Sequence, residues 1–259
     1  MERGHDVENY MLGKGILYFA PFDDNGVNQG EIDLGNVPSF NVSLALEKLP
    51  HYSSRGGLRV KDKEVITQVD APLTLQLEEF NLDNLKLAFM GDDYTYTQTA
   101  ASIPDESVTA LAFESWFKLE KRVITAASVV VTSDPAGTTY VEGTDYEVDY
   151  TIGRIKFIDT GTGISLDDPL LVSYDITDKT LEGVKFAAST SKEGLLRFIG
   201  DPAQGEKIEL IFWKVSLTPE GEIGFISEEW GNFTITAEVL ADEENHPDEK
   251  YGVALFYAA

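Results

Sequence analysis

Val69-Asp70-Ala71-Pro72-Leu73-Thr74-Leu75-Gln76-Leu77-Glu78 decides the fold class. The odd positions are apolar and the even ones are polar or proline. A period of two buries one face of a β-strand and wets the other. Two distant stretches repeat the pattern. Phe40, Val42, Leu44 and Leu46 alternate with Asn41, Ser43, Ala45 and Glu47, and Phe233, Ile235, Ala237 and Val239 alternate with Thr234, Thr236 and Glu238. Such strands belong to antiparallel sheets packed on one side, so the sequence predicts a mainly β protein.

One segment departs from this period. Leu82, Leu85, Ala88 and Phe89 recur at helical spacing, Asn81 is placed to N-cap, Asp83 suits the positive end of the dipole, and Gly91 can end the turn. One short amphipathic helix against a sheet is expected there. Residues 50–64 read as a long polar loop carrying Arg55, Arg59, Lys61 and Lys63 against Asp62 and Glu64. A loop of that length inside a domain is usually functional or mobile. The texture changes over residues 120–181. Tyr146, Val148 and Tyr150 alternate with Glu147 and Asp149, and a turn centred on Ile152-Gly153 would set Asp149 opposite Lys156 and Tyr150 opposite Ile155. Leu170, Val172 and Tyr174 form a further strand. This reads as a small all-β, immunoglobulin-like module inserted between two halves of a main domain, residues 1–119 and 182–259. Long strands follow at 208–217, 224–240 and 251–257.

The chain has 259 residues with 45 Asp and Glu against 20 Lys and Arg, a net charge of 20 − 45 = −25. That sign opposes tight nucleic-acid binding, which draws most of its affinity from neutralised phosphates. Cysteine is absent, which removes disulfides, thiolate nucleophiles and Cys-based zinc sites. Residues 1–7 contain no apolar signal core, and no apolar run approaches the ~20 residues of a membrane helix. A soluble protein made in a cytoplasm is expected.

Catalytic signatures do not assemble. His5, His51 and His246 fall in an N-terminal arm, the basic loop and an acidic turn at 242–249, away from any triad-like grouping. Residues 200–207 begin like a phosphate loop, but Glu206 stands where lysine is required. Asp23-Asp24-Asn25-Gly26 has turn composition and lacks the spacing of a calcium loop. Carboxylates are too abundant for any pair to mark a glycosidase. The expectation is no enzyme, no cofactor and no metal.

A family likeness is carried by three stretches: residues 15–22 with 33–44, residues 65–85, and above all residues 214–242, where Gly224-Phe225 leads to Glu238-Val239-Leu240-Ala241-Asp242. Together with the order strand, long loop, strand, helix, they resemble the major tail-tube proteins of long-tailed, siphophage-type bacteriophages. Residues 140–156 resemble the small β insertion that many phage tail proteins carry. The resemblance implies two packed sheets flanked by one helix, in a β-sandwich or barrel. It also implies six copies joined edge to edge into a ring, and rings stacked through the long loop and the terminal arms, residues 1–9 forming one such arm. Expected partners are further copies of the chain, other tail proteins at the tube ends, and DNA as a passing cargo during genome ejection, with no membrane. The expected location is the virion tail, after synthesis in the host cytoplasm.

Two groups of residues follow as candidates. Arg55, Arg59, Lys61 and Lys63 are expected at ring-to-ring or subunit-to-subunit contacts with acidic neighbours. Asn41, Ser43, Asp70, Thr74, Gln76, Glu78, Thr234, Thr236 and Glu238 are the polar strand positions that could line an acidic lumen. The inserted module is expected to decorate the outside of the tube. An acidic β-sandwich binding module, an adhesin or carbohydrate binder, is the alternative from a different class.

Overall fold

The structure, a computed structural model, describes residues 12–161 and 163–257. The expected arm over residues 1–9, with His5, lies outside them. In chain order the elements are β1 (Gly15–Pro21), β2 (Ile32–Asp33), β3 (Ser39–Val42), β4 (Ala45–Ser53), β5 (Val60–Asp70), β6 (Pro72–Leu77), α1 (Leu82–Ala88), β7 (Asp92–Gln98), β8 (Ala101–Thr109) and β9 (Trp116–Lys118). They continue as β10 (Val130–Ser133), β11 (Thr139–Tyr140), β12 (Tyr146–Asp149), β13 (Arg154–Phe157), β14 (Pro169–Ile176), β15 (Lys179–Lys185), β16 (Lys192–Gly200), β17 (Lys207–Glu220), β18 (Phe233–Val239) and β19 (Val253–Tyr257). The protein is mainly β, built from antiparallel sheets with one helix among the described residues.

Two compact units emerge, residues 1–93 with 184–259, and residues 94–183. The first is organised around an eight-stranded sheet of order β2-β1-β16-β17-β18-β6-β3, with β19 also on β17. Strand β17 is fourteen residues long and forks the sheet. Its first half pairs with β19, from Lys207↔Tyr257 to Ile211↔Val253, and its second half with β18, from Val215↔Val239 to Glu220↔Thr234. The far strand β3 folds back over the middle of the path. The Phe40 ring lies 5.7 Å from that of Phe198 on β16 and 6.4 Å from that of Phe212 on β17. The sheet thus rolls over a core of Leu17, Phe19, Leu73, Leu75, Leu196 and Ile235, all essentially inaccessible to solvent. Each such side chain contributes ~1.5–3 kcal/mol over an exposed one.

The opening stretch divides where alternation predicted continuity. Leu73, Leu75 and Leu77 are buried, while Val69 is exposed on β5, beyond a break at Ala71. Similarly, β3 ends at Val42, and Val42, Leu44 and Leu46 are exposed. The strand expected over 224–240 begins only at Phe233.

Helix α1 is capped as expected, Asn81 Oδ1 accepting from the Asn84 N–H at 2.8 Å. Its buried face is Asn84, Leu87 and Ala88 instead of Leu82 and Leu85. Asn84 explains the rotation, because its Nδ2 donates to the carbonyls of Leu34 and Glu79, both at 2.9 Å, tying the helix to two neighbouring segments. The residue in the left-handed region is Met90 (φ 47), not Gly91. Gly91 serves close packing instead: a Cβ there would sit 2.3 Å from Val184 Cγ1 and 2.5 Å from the Lys185 carbonyl.

The C-terminal strand is latched by a buried carboxylate. Glu209 on β17 accepts from Tyr257 Oη on β19 and pairs with Arg197 on β16, whose Nε reaches Glu31 at 2.7 Å. The Tyr257 hydrogen bond, followed by Arg197, holds the Glu209 carboxyl below the usual range although burial opposes this.

The inserted unit begins at Tyr94 and ends at Gly183, where the sequence suggested 120 and 181. Strand β8 accounts for the earlier start. It pairs with β14 from Ile176↔Ala101 to Pro169↔Thr109, with the register shifting between Val172 and Tyr174. Asp105 sits at that shift with φ 50, so the inward positions pass from odd Ile103 to even Val108 and no steady period shows. The unit has a sheet β11-β10-β14-β8 and a sheet β12-β13-β9 sharing one core, including Val131, Tyr146, Ile155, Phe157 and Val172. Strands β7 and β15 form a two-stranded sheet.

The β12–β13 register also differs from expectation. Asp149 faces Arg154, Val148 faces Ile155, and Lys156 faces Glu147. Asp149 is responsible, since its Oδ1 accepts from the Thr151 and Ile152 N–H groups at 3.2 and 3.1 Å and closes a four-residue loop with Gly153 at φ 75. These bonds, the Ile152 N–H foremost, hold the Asp149 carboxyl below its usual range.

Candidate functional site

Lys61 and Lys63 lie on a strand, and the expected long loop shrinks to a six-residue tip, 54–59, that holds Arg55 and Arg59. Residues 45–70 form a β-hairpin arm in which, among the described residues, β4 and β5 pair only with each other, from Ala45↔Asp70 to Ser53↔Val60. Arg55 and Arg59 occupy its tip, while Lys61 and Lys63 lie on β5 opposite Tyr52 and His51. Irregularities between Glu47 and Lys48 and between His51 and Tyr52 interrupt the period of two. Pro50 is tolerated because both edges of a two-stranded ribbon are open. These features hid the strands in the sequence.

Nearly every residue of the arm is exposed. That includes Leu46, Leu49, Val60, Val65, Ile66 and, at the tip, Leu58 with 79% of its surface open. Internal support is slight. Lys48 and Lys61 both pair with Glu64, His51 pairs with Asp62, and the Arg59 guanidinium lies 5.5 Å from the Tyr52 ring centre. Exposed pairs of this kind are worth ~0–1 kcal/mol each, and a lone two-stranded hairpin is marginal in water. Among the described residues, Arg55, Arg59 and Lys63 make no ion pair. From His51 to Lys63 four cations face one carboxylate, Asp62, a local +3 on a chain of −25.

Six of the nine lumen candidates share one surface. Register sets Asn41, Thr74 and Thr236 in one row and Gln76 beside Thr234 in the next, with Glu238 opposite Ser216. Thr218 and Glu220 extend the two rows onto β17. Thr236 Oγ1 donates to the Thr218 carbonyl at 3.1 Å. None of these positions is a lysine or arginine. The other three flank the face. Ser43 donates its N–H to Pro72 O at 3.0 Å, and Asp70 accepts from Gln68, both at the arm's base. Glu78, past the other end of β6, accepts from Asn36 Nδ2 at 2.5 Å.

A second exposed feature lies where the sequence pattern predicts strand. Residues 221–232 are an irregular loop joining β17 to β18. Phe225 packs edge-on to Phe80 and stacks on Phe89, at 6.0 and 6.1 Å, but Ile226 and Trp230 stand 99% and 92% exposed. The spacing of Gly221, Gly224 and Gly231 was the available signal.

Side chains suited to chemistry stay scattered. His51 is on the arm, and His246 stacks on Trp213 at 3.8 Å. Among the described residues, no group of three or more His, Asp or Glu is placed to hold a metal ion. Asp23 of the Asp-Asn-Gly segment spends its Oδ1 on the Asn25 and Val27 N–H groups, both at 2.9 Å. A cavity of about 430 Å³ beside α1 is walled by Phe19, Ile32, Leu34 and Leu87. Its polar rim is neutralised internally, Lys86 by Asp83 and Asp93 and Lys192 by Asp92. No described helix is long and apolar enough to cross a membrane.

No curated protein matches the chain. The family model described as "Protein of unknown function UCP028589" matches residues 10–253. The chain belongs to that family.

Proposed function

We propose that the chain is the major tail-tube subunit of a long-tailed bacteriophage, a structural protein whose rings, hexameric by the family likeness, stack into a conduit for DNA. The observation that carries this reading is the arm of residues 45–70. A ribbon with its apolar side chains in water and an excess of cations at its tip is costly in a free monomer and useful in an assembly. The sheet gives further support. Strands β2 and β3 end its path, each with one edge unpaired among the described residues. Pairing such edges between copies around an axis closes a ring, whereas a head-to-tail contact along the axis does not close and grows a tube.

Charge supports a non-adhesive conduit. Six copies carry about 6 × −25 = −150 formal charges. The polar face of β3, β6, β18 and β17, free of lysine and arginine at its paired positions, is the surface best suited to line the channel. The subunit is made in the host cytoplasm and ends in the virion tail, with other tail proteins at the tube ends. Negative-stain microscopy of concentrated protein tests the reading. Rings or tubes support it, and dispersed monomers with affinity for sugars favour an adhesin-type binding module instead.

A further inference from the structure

The arm has an identifiable acceptor. Register places the arm and the 221–232 loop at opposite ends of the same strands. In β6 and β18, Pro72 pairs with Glu238 at one end and Leu77 with Phe233 at the other. The arm leaves from the Pro72 end, through Val42 and Ala71. The loop leaves from the Phe233 end, between Glu220 and Phe233. Five residues of strand separate the two ends, ~17 Å at 3.3–3.4 Å per residue.

The two surfaces are complementary in charge and in apolarity. From Pro219 to Asn232 the chain carries Glu220, Glu222, Glu228 and Glu229 and no Lys or Arg. None of these four carboxylates makes an ion pair among the described residues, and neither do Arg55, Arg59 and Lys63 on the arm. Ile226 and Trp230 stand open on the loop, and Leu58 and Val60 on the arm. The loop's base is fixed where its tip is not. Phe225 rests on Phe80 and Phe89, and a Cβ at Gly231 would touch the Phe80 ring at 3.0 Å. The tip therefore projects from a rigid seat.

We propose that the arm tip of one copy docks on the 221–232 loop of a second copy. Arg55, Arg59 and Lys63 meet Glu228, Glu229 and their neighbours, and Leu58 packs against Ile226 and Trp230. An arginine over Trp230 adds a cation–π contact. Because donor and acceptor occupy opposite poles, each copy offers its own loop to the next arm, and the contact propagates along one axis. This rests on the tube reading and names the surface that reading leaves open.

The absence of cysteine gives a direct test. Leu58→Cys and Ile226→Cys are made singly and together, with folding checked by circular dichroism. Each is oxidised at assembling concentration, run on a non-reducing gel and viewed by electron microscopy. The double variant is expected to give a ladder of covalent multimers, and each single variant only monomer. A charge exchange adds a second readout: Glu228→Lys/Glu229→Lys abolishes the ladder, and Arg55→Glu/Arg59→Glu in the same chain restores it. Assembled particles without a ladder overturn this contact and leave the tube reading standing. A double variant that stays monomeric alongside a wild type that also never assembles overturns both.

Discussion

Replacing Arg197 by methionine keeps an alkyl stem of similar length and leaves Glu209 on β17 without its cation. Breaking a buried ion pair from one side costs ~3–5 kcal/mol. Here the side chains are 28% and 11% exposed, and Glu209 keeps the Tyr257 hydrogen bond, so the expected loss is roughly 2–3 kcal/mol. The effect depends on pH with a defined sign. The folded-state pKa of Glu209 lies below its ordinary value. The stability it supplies is therefore present above the ordinary carboxylate range and is lost as pH falls through the depressed value. The gap between wild type and Arg197→Met is thus widest near neutral pH and narrows below about pH 4. Adding Glu209→Gln should recover most of the loss at neutral pH, since removing both partners of a buried pair is far milder than removing one. Urea unfolding followed by Trp213 and Trp230 fluorescence, in a Trp116→Phe background, reads the unit concerned. A loss that stays constant from neutral to acid pH, or a double variant as weak as the single, refutes the latch.

Reversing the charge of Arg55, Arg59, Lys61 and Lys63 leaves the monomer folded, because none of them contributes to either core. It should block polymerisation, as read by sedimentation, and normal tubes from this variant would reject a role for the arm. Asn84→Ala strips the buried Leu34 carbonyl and the partly buried Glu79 carbonyl of their donor and is expected to cost roughly 1–3 kcal/mol, the figure for one buried unsatisfied group, measured by urea unfolding. In the inserted unit, burial and then a hydrogen bond to Glu142 push Tyr150 up to about 12. A raised pKa means stability that is complete below the ordinary value near 10 and drains between there and about 12. Tyr150→Phe should flatten that alkaline slope in pH-dependent melts, and an unchanged slope contradicts the assignment.

The sheet core was legible because Leu73 to Leu77 and Phe233 to Val239 keep strict alternation against one buried side. The helix cap was legible because Asn81 acts locally. Legibility failed wherever a side chain or bulge reset the count. Asp105 shifted the inward face of β8, Asp149 moved the register of the next hairpin by closing its turn, and irregularities at Lys48 and Tyr52 made a strand pair resemble a loop. The helix face turned on Asn84, whose hydrogen bonds reach Leu34, fifty residues away. The basic residues of the candidate surface stood out by composition alone. Its apolar half did not, since Leu49, Ile66, Ile226 and Trp230 look like core until the fold leaves them outside.

The most direct measurement of assembly is sedimentation velocity of the full chain over a concentration series. Ring formation predicts that the 28.6 kDa monomer gives way to a discrete particle near 6 × 28.6 = 171.6 kDa and then to heavier stacks. A single 28.6 kDa species at every concentration would contradict it.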